Sequence, residues 1–152
     1  CISVLADSKY FLGSYENIKM VSQHSTKPIL CKDFIIDAFQ IKLARMMGAK
    51  PVLLMLSVLD DKNYLELFNL LNPKHERADE VSNQQEIKRL LKLQYDIIGI
   101  NNRIYTPLTT DINNTLKFAP SFCLKDALVG EQSRFYSHVQ SKPLAPLCDG
   151  FL

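Results

Sequence analysis

The sequence predicts an α/β fold built on a parallel sheet with crossover helices. Short apolar runs of β type recur along the chain, and the segments between them show helical periodicity with short connections. The strands also read as continuous apolar runs rather than alternating ones, as parallel strands covered on both faces do. Two architectures satisfy these observations, an open doubly wound sheet and a (β/α)8 barrel. No Gly-x-Gly-x-x-Gly follows the first strand and the chain holds five glycines in all, which weighs against a dinucleotide-binding fold.

The elements follow in order. Ile2–Leu5 is the first strand, and Ser14 offers an N-cap to a short helix through Val21. Pro28–Cys31 is the second strand. Asp37-Ala38-Phe39-Gln40 opens a helix in the manner of a capping box, with Gly48 as a stop after Met47. Val52–Leu56 is the third strand. Asp60 caps a helix in which Tyr64, Leu67, Phe68 and Leu71 fall on one face. Ser82-Asn83-Gln84-Gln85 reads as a Ser-x-x-Gln capping box ahead of the stripe Ile87, Leu90 and Leu91. Ile97–Ile100 is a further strand, and Ala127–Val129 a weaker one. The stretch Lys74-His75-Glu76-Arg77-Ala78-Asp79 does not suit a buried parallel strand, because each buried charge needs pairing or costs several kcal/mol.

Composition narrows the function. At 152 residues, 47% hydrophobic and 22% charged, the chain is expected to be one globular domain rather than a disordered one. A net charge of +2, with no basic block interleaved with aromatics, argues against nucleic-acid binding. No apolar run approaches the ~18–20 residues of a membrane span. The cysteines at 1, 31, 123 and 148 show no Cys-x-x-Cys spacing, and Cys31 reads as a buried reduced thiol. His24, His75 and His138 stand alone in polar surroundings and read as surface residues, so no metal site is expected. This cysteine usage suits a reducing, cytoplasmic compartment.

The informative pattern lies where the strands end. Ile29-Leu30-Cys31 runs into Lys32-Asp33-Phe34, Asp79-Glu80-Val81 precedes a helix cap, Ile97–Ile100 runs into Asn101-Asn102-Arg103, and Val129-Gly130 runs into Glu131. In α/β folds ligands sit at that edge, and in barrels catalytic groups come from several strand ends. Lysine, glutamate, asparagine and arginine gathered there suit a phosphorylated, acidic small-molecule substrate. A lysine at the end of an apolar strand is a workable proton donor, and a glutamate a workable base or acid. Each of these residues, taken alone, reads first as a solvated loop residue, and it is the occurrence of four in phase with the strands that favours a site.

Cys31-Lys32-Asp33-Phe34-Ile35-Ile36-Asp37 strongly resembles indole-3-glycerol-phosphate synthase, a (β/α)8-barrel enzyme of tryptophan biosynthesis. Lys9-Tyr10-Phe11 with Gly13-Ser14, Leu53–Asp61, Glu80-Val81-Ser82-Asn83 and Ile98–Arg103 support it. Leu54-Met55-Leu56-Ser57-Val58-Leu59-Asp60-Asp61 looks most like the enterobacterial form, which is often fused to phosphoribosylanthranilate isomerase, so such a fusion is expected of the parent chain. The resemblance implies one partial barrel domain over 1–152, with the first strand and the end of the barrel outside it, since a whole barrel takes about 250 residues. It also implies roles. Lys32 matches the general acid of ring closure and Glu80 the general base of the later dehydration. Asn101 and Arg103 match substrate-binding residues, Arg103 suiting the anthranilate carboxylate. Phe11, Phe34 and Leu53 match apolar contacts to the aromatic ring, although each also reads as core. Glu131 matches the glutamate of the family's Glu-Ser-Gly motif and is expected among the substrate-binding residues. The implied reaction is ring closure, decarboxylation and dehydration of 1-(2-carboxyphenylamino)-1-deoxyribulose 5-phosphate, with no cofactor or metal.

The departures set up an alternative. The family's Glu-x-Lys would precede Cys1, and its phosphate-binding Gly-Ser would follow Leu152. Glu-Ser-Gly here reads Glu131-Gln132-Ser133, which replaces a substrate-contacting serine and a phosphate-contacting glycine. The chain is therefore expected to be either a fragment of a synthase, inactive by itself, or a decayed relic that acts at most as a binding scaffold. Because an unclosed barrel exposes strand edges, poorly cooperative folding is expected of the isolated chain.

Overall fold

The computed structural model describes residues 1–71, 76–93, 95–105, 108–110, 113–122, 127–132 and 138–151. For residues 103–105, 108–110, 113, 114, 138, 140 and 151 it describes the backbone alone. His75, Cys123 and Ser133, and the side chain of His138, lie outside the described residues. The chain forms two compact units, Cys1–Ala78 and Asp79–Leu152.

In the first unit, β1 (Ile2–Leu5), β2 (Ile29–Lys32) and β3 (Val52–Met55) are parallel neighbours in chain order. β2 ends one residue later than the sequence suggested, because Lys32 still pairs with Leu5. Helices α1 (Tyr15–His24), α2 (Ala38–Met46) and α3 (Asp61–Leu70) alternate with the strands and begin at the predicted caps. The Ser14 side chain accepts from the Glu16 N–H, and that of Asp60 from the Asn63 N–H. Asp37 accepts from the Phe39 N–H, while Gln40 Oε1 reaches back to the Ile36 and Asp37 N–H groups. α1 runs on to His24, past the predicted end at Val21. Gly48 follows α2 at a φ of 100°, the left-handed stop that glycine adopts without penalty. Ile18, Ile41, Ala44, Tyr64 and Leu67 lie in the core with Cys31 and all of β3.

β4 (Arg77–Val81) corrects the expectation for the charged stretch: all five residues are buried. The charges are absorbed locally. The Arg77 guanidinium lies 3.7 Å from the centre of the Phe68 ring, a cation–π contact. Glu76 forms an ion pair with Arg45, and its backbone carbonyl accepts from the Val52 N–H at 3.0 Å. Glu76 and Arg77 enter the sheet because their side chains find partners while the backbone continues the ladder.

In the second unit, α4 (Gln84–Leu90) is followed by β5 (Ile97–Ile100), an antiparallel hairpin of β6 (Arg103–Tyr105) and β7 (Leu108–Thr110), α5 (Asn113–Phe118), β8 (Leu128–Glu131), α6 (His138–Ser141) and β9 (Gly150–Phe151). β4, β5, β8 and β9 are parallel neighbours, with Glu80, Gly99 and Gly130 in one row and Val81, Ile100 and Glu131 in the next. The cap of α4 is Asn83 rather than Ser82. Asn83 Oδ1 accepts from the Gln85 and Glu86 N–H groups, and Glu86 receives the Ser82 N–H. The sequence contains Asn83-x-x-Glu86 as well as Ser82-x-x-Gln85, and the pair whose carboxylate receives both the Ser82 N–H and the Ser82 hydroxyl takes the cap. In neither unit does the strand order reverse, which separates this fold from a doubly wound sheet.

Candidate functional site

The first unit places Lys32 at the C-terminal end of β2, half-buried. The pairing of Cys31 with Val52 and of Leu5 with Lys32 sets Leu5, Lys32 and Leu53 in one row, hence on one face of the sheet. Leu53 is fully buried there. Phe34, two residues past Lys32, stacks on Phe11 with ring centres 4.9 Å apart and planes within 13°. Tyr10 meets the Phe34 ring edge-on at 5.4 Å. Phe34 and Phe11 thus lie together just past the end of β2, and Lys32 and Leu53 share one row of the sheet.

Asp33, between Lys32 and Phe34, points the other way, towards the helices. It is 3% exposed and gathers three donors. The Tyr15 hydroxyl and Gln40 Nε2 both donate to Oδ2, the latter at 3.1 Å, and the Phe34 N–H donates to Oδ1 at 2.8 Å. Gln40 Nε2 also donates to the Phe34 carbonyl at 3.0 Å. Burial, then the hydrogen bond to Asp33, pushes the Tyr15 hydroxyl well above the ordinary phenol range. Burial, then the Asp33 charge, pushes the Cys31 thiol up to about 12, so Cys31 is protonated and inert at neutral pH.

The second unit places Glu80 and Asn101 in contact: Asn101 Nδ2 donates to Glu80 Oε1 at 3.0 Å, and both residues are buried. Asn102 points the opposite way. Its amide donates to Thr115 Oγ1 and to Glu131 Oε1, each at 2.8 Å, and its carbonyl oxygen accepts from the Thr115 N–H at 3.0 Å. Glu131, fully buried, therefore lies on the face covered by α5 and not on the face that carries Glu80. Gln132 lies across Gly99, where a Cβ would stand 2.3 Å from its Nε2. The backbone of Arg103 opens the hairpin directly after Asn102, and its side chain lies outside the described residues. Sequence reasoning gave no role to Tyr15, Asp33, Asn102 or Thr115, and gave Gln40 only its part in the cap of α2. The available signal was adjacency, since Asp33 and Asn102 each follow a residue already singled out. Among the described residues no group of three His, Cys, Asp or Glu side chains is placed to hold a metal ion.

Polar side chains at the ends of parallel strands that neighbour one another in chain order define a protein of the (β/α)8-barrel class, of which this chain carries part. The structure is similar to 3-hexulose-6-phosphate synthase from Salmonella typhimurium, with a TM-score of 0.73 and 14% identity over 99% of this chain and 75% of that one. It is also similar to KGPDC from Streptococcus mutans, with a TM-score of 0.68 and 14% identity over 98% of this chain and 73% of that one. At that identity the likeness is one of fold. In sequence, residues 1–147 match Indole-3-glycerol phosphate synthase, and the chain belongs to that family. It is 74% identical over 153 residues to "Tryptophan biosynthesis protein TrpCF" of Helicobacter pylori, covering 100% of this chain and 34% of that protein. It is 45% identical over 152 residues to the protein of the same name in Vibrio cholerae, covering 99% of this chain and 32% of that one. The chain thus spans about a third of the length of the curated relatives it matches.

Proposed function

We propose that the protein to which these 152 residues belong makes indole-3-glycerol phosphate by ring closure, decarboxylation and dehydration of 1-(2-carboxyphenylamino)-1-deoxyribulose 5-phosphate. The family match over residues 1–147 carries this reading. Lys32 is the general acid of ring closure and Glu80 the base of dehydration, with Asn101 holding Glu80 in place and contacting substrate. Arg103 pairs with the anthranilate carboxylate. Phe11, Phe34 and Leu53 supply the apolar wall beside the aromatic ring, and Glu131 braces Asn102. Residues 1–152 belong to one barrel domain, a reading supported by the single family match. Its parent carries phosphoribosylanthranilate isomerase as a second domain, for which the length of the relatives leaves room. The setting is cytoplasmic, in keeping with the free thiols of Cys1, Cys31 and Cys148. No helix among the described residues is long and apolar enough to cross a membrane.

The test is product formation by the natural, full-length protein. Lys32→Ala is expected to lower kcat by about 10²–10⁴, the usual contribution of a positioned acid. Full turnover after that substitution overturns the reading. The 152 residues assayed alone are expected to be inactive. Gln132, lying across Gly99 where the family has a serine, favours a second reading in which the domain is an inert relic. A folded parent protein that forms no product supports that one.

A further inference from the structure

We propose that Asp33, held by Tyr15 and Gln40, is the positioning group for Lys32 and Phe34; this rests on the function proposed above for Lys32. Three elements end at this carboxylate. Tyr15 is the first residue of α1, Asp33 follows the last residue of β2, and Gln40 lies in the first turn of α2. Lys32 and Phe34 flank Asp33 in the chain, so fixing Asp33 fixes the backbone from which both project. The hold on Phe34 is double, because its N–H is taken by Asp33 and its carbonyl by Gln40. Gln40 is committed on its other side as well, its Oε1 receiving the Ile36 and Asp37 N–H groups that open α2. The start of α2 therefore cannot shift without moving the loop that carries Lys32 and Phe34. Three donors converging on one residue require a carboxylate. An asparagine would turn an N–H₂ group either on the Phe34 N–H or on the Tyr15 and Gln40 donors.

The second unit repeats the arrangement, which argues that it is a device and not an accident of one loop. Asn101 meets Glu80 on one face, and Asn102, next in the chain, meets Thr115 of α5 on the other.

The experiment uses the natural, full-length protein with Tyr15→Phe, Asp33→Asn and the double variant, each checked for native circular dichroism. Tyr15→Phe is expected to lower kcat about tenfold and Asp33→Asn about a hundredfold, with KM within about twofold, because misplacement of a reacting group is felt in the chemical step. The double variant is expected to match Asp33→Asn alone, since Tyr15 acts only through Asp33. An unchanged kcat with only a lowered melting temperature overturns the proposal, as do multiplicative effects in the double variant. If Asp33→Asn does not fold, Tyr15→Phe decides by the same kcat criterion. Absence of turnover in the unsubstituted protein defeats the proposed function and not the positioning. The positioning is then read from the rate of limited reductive methylation of Lys32 by mass spectrometry. A change of about threefold or more in Tyr15→Phe, with Lys9 and Lys19 unaltered, supports it, and an unaltered Lys32 rate overturns it.

Discussion

Substitution of Gly13 isolates the cost of a close backbone approach in the loop that carries Phe11. The Gly13 N–H donates to the Asp7 carbonyl at 2.8 Å, and the next residue, Ser14, returns to the Leu5 carbonyl at 3.3 Å. A Cβ at position 13 would stand 2.1 Å from the Leu5 oxygen, 2.4 Å from its carbon and 2.9 Å from the Ala6 nitrogen. All three are backbone atoms, so no side chain can swing aside and the loop itself must move by an ångström or more. Overpacking of this kind costs about 1–3 kcal/mol. Loss of the Ser14 hydrogen bond adds about 0.5–1.5 kcal/mol. Gly13→Ala is therefore expected to destabilise the natural protein by about 2–4 kcal/mol, a drop in melting temperature on the order of 10 °C for a domain of this size. Gly150→Ala is the matched control, because a Cβ there meets nothing within 4 Å, and a change within about 0.5 kcal/mol is expected. Scanning calorimetry of both variants gives the answer. A Gly13→Ala protein that melts with the parent, or a Gly150→Ala protein that falls as far, refutes the argument from contact distance.

Three further outcomes follow from the same structure. Asp37→Ala removes the cap of α2 and is expected to cost about 1 kcal/mol by chemical denaturation, with no change at the caps of α1 and α3. Asn102→Leu deprives Glu131 and Thr115 of buried hydrogen bonds, with an expected cost of about 1–3 kcal/mol and a rise in hydrogen exchange at the start of α5. The Cys31 thiol is raised from 9.0 to about 12 in the folded protein, so the folded state holds its proton where the unfolded state has lost it. Its contribution to stability is whole below pH 9 and is lost as the pH rises towards about 12. At pH 8 iodoacetamide should label the exposed Cys1 and spare Cys31 until the chain is unfolded.

What the sequence made legible depended on whether a local rule had a competitor. The caps at Ser14 and Asp37 had none, Asp60 prevailed over its like neighbour Asp61, and the helices begin where those residues stand. Ser82 competed with Asn83, and the neighbour with a suitably placed Glu86 took the cap. β4 was illegible because charge density reads as solvation until its partners are known. Phe68 and Arg45, which absorb Arg77 and Glu76, come from the neighbouring helices α3 and α2 and not from the strand's own pattern. The β6–β7 hairpin lacks any alternating apolar pattern that would have announced it. Lys32 and Asn101 were legible as strand-end residues because each closes or follows an apolar run, whereas Glu80 was legible only through the helix cap that follows it and the family resemblance. What holds them in place was not, since hydrogen bonds such as Tyr15 to Asp33 or Asn102 to Glu131 leave no periodic trace.

The alternation of a parallel strand explains why the holding residues sit where they do. Side chains along a strand point to opposite faces in turn, so a strand end that presents one group to a ligand necessarily presents the next to the helix layer. A polar group sent there is buried and must find partners, and the nearest donors are the first turns of the flanking helices. Asp33 finds Tyr15 of α1 and Gln40 of α2, while Asn102 finds Thr115 of α5. The same geometry assigns Glu131, in the row of Val81 and Ile100, to the side opposite Glu80, in the row of Gly99 and Gly130. Pairs such as Lys32-Asp33 and Asn101-Asn102 are therefore two-sided units, in which the second residue anchors the first to the helices. A substitution at the second position should slow chemistry without altering the charge of the group that performs it.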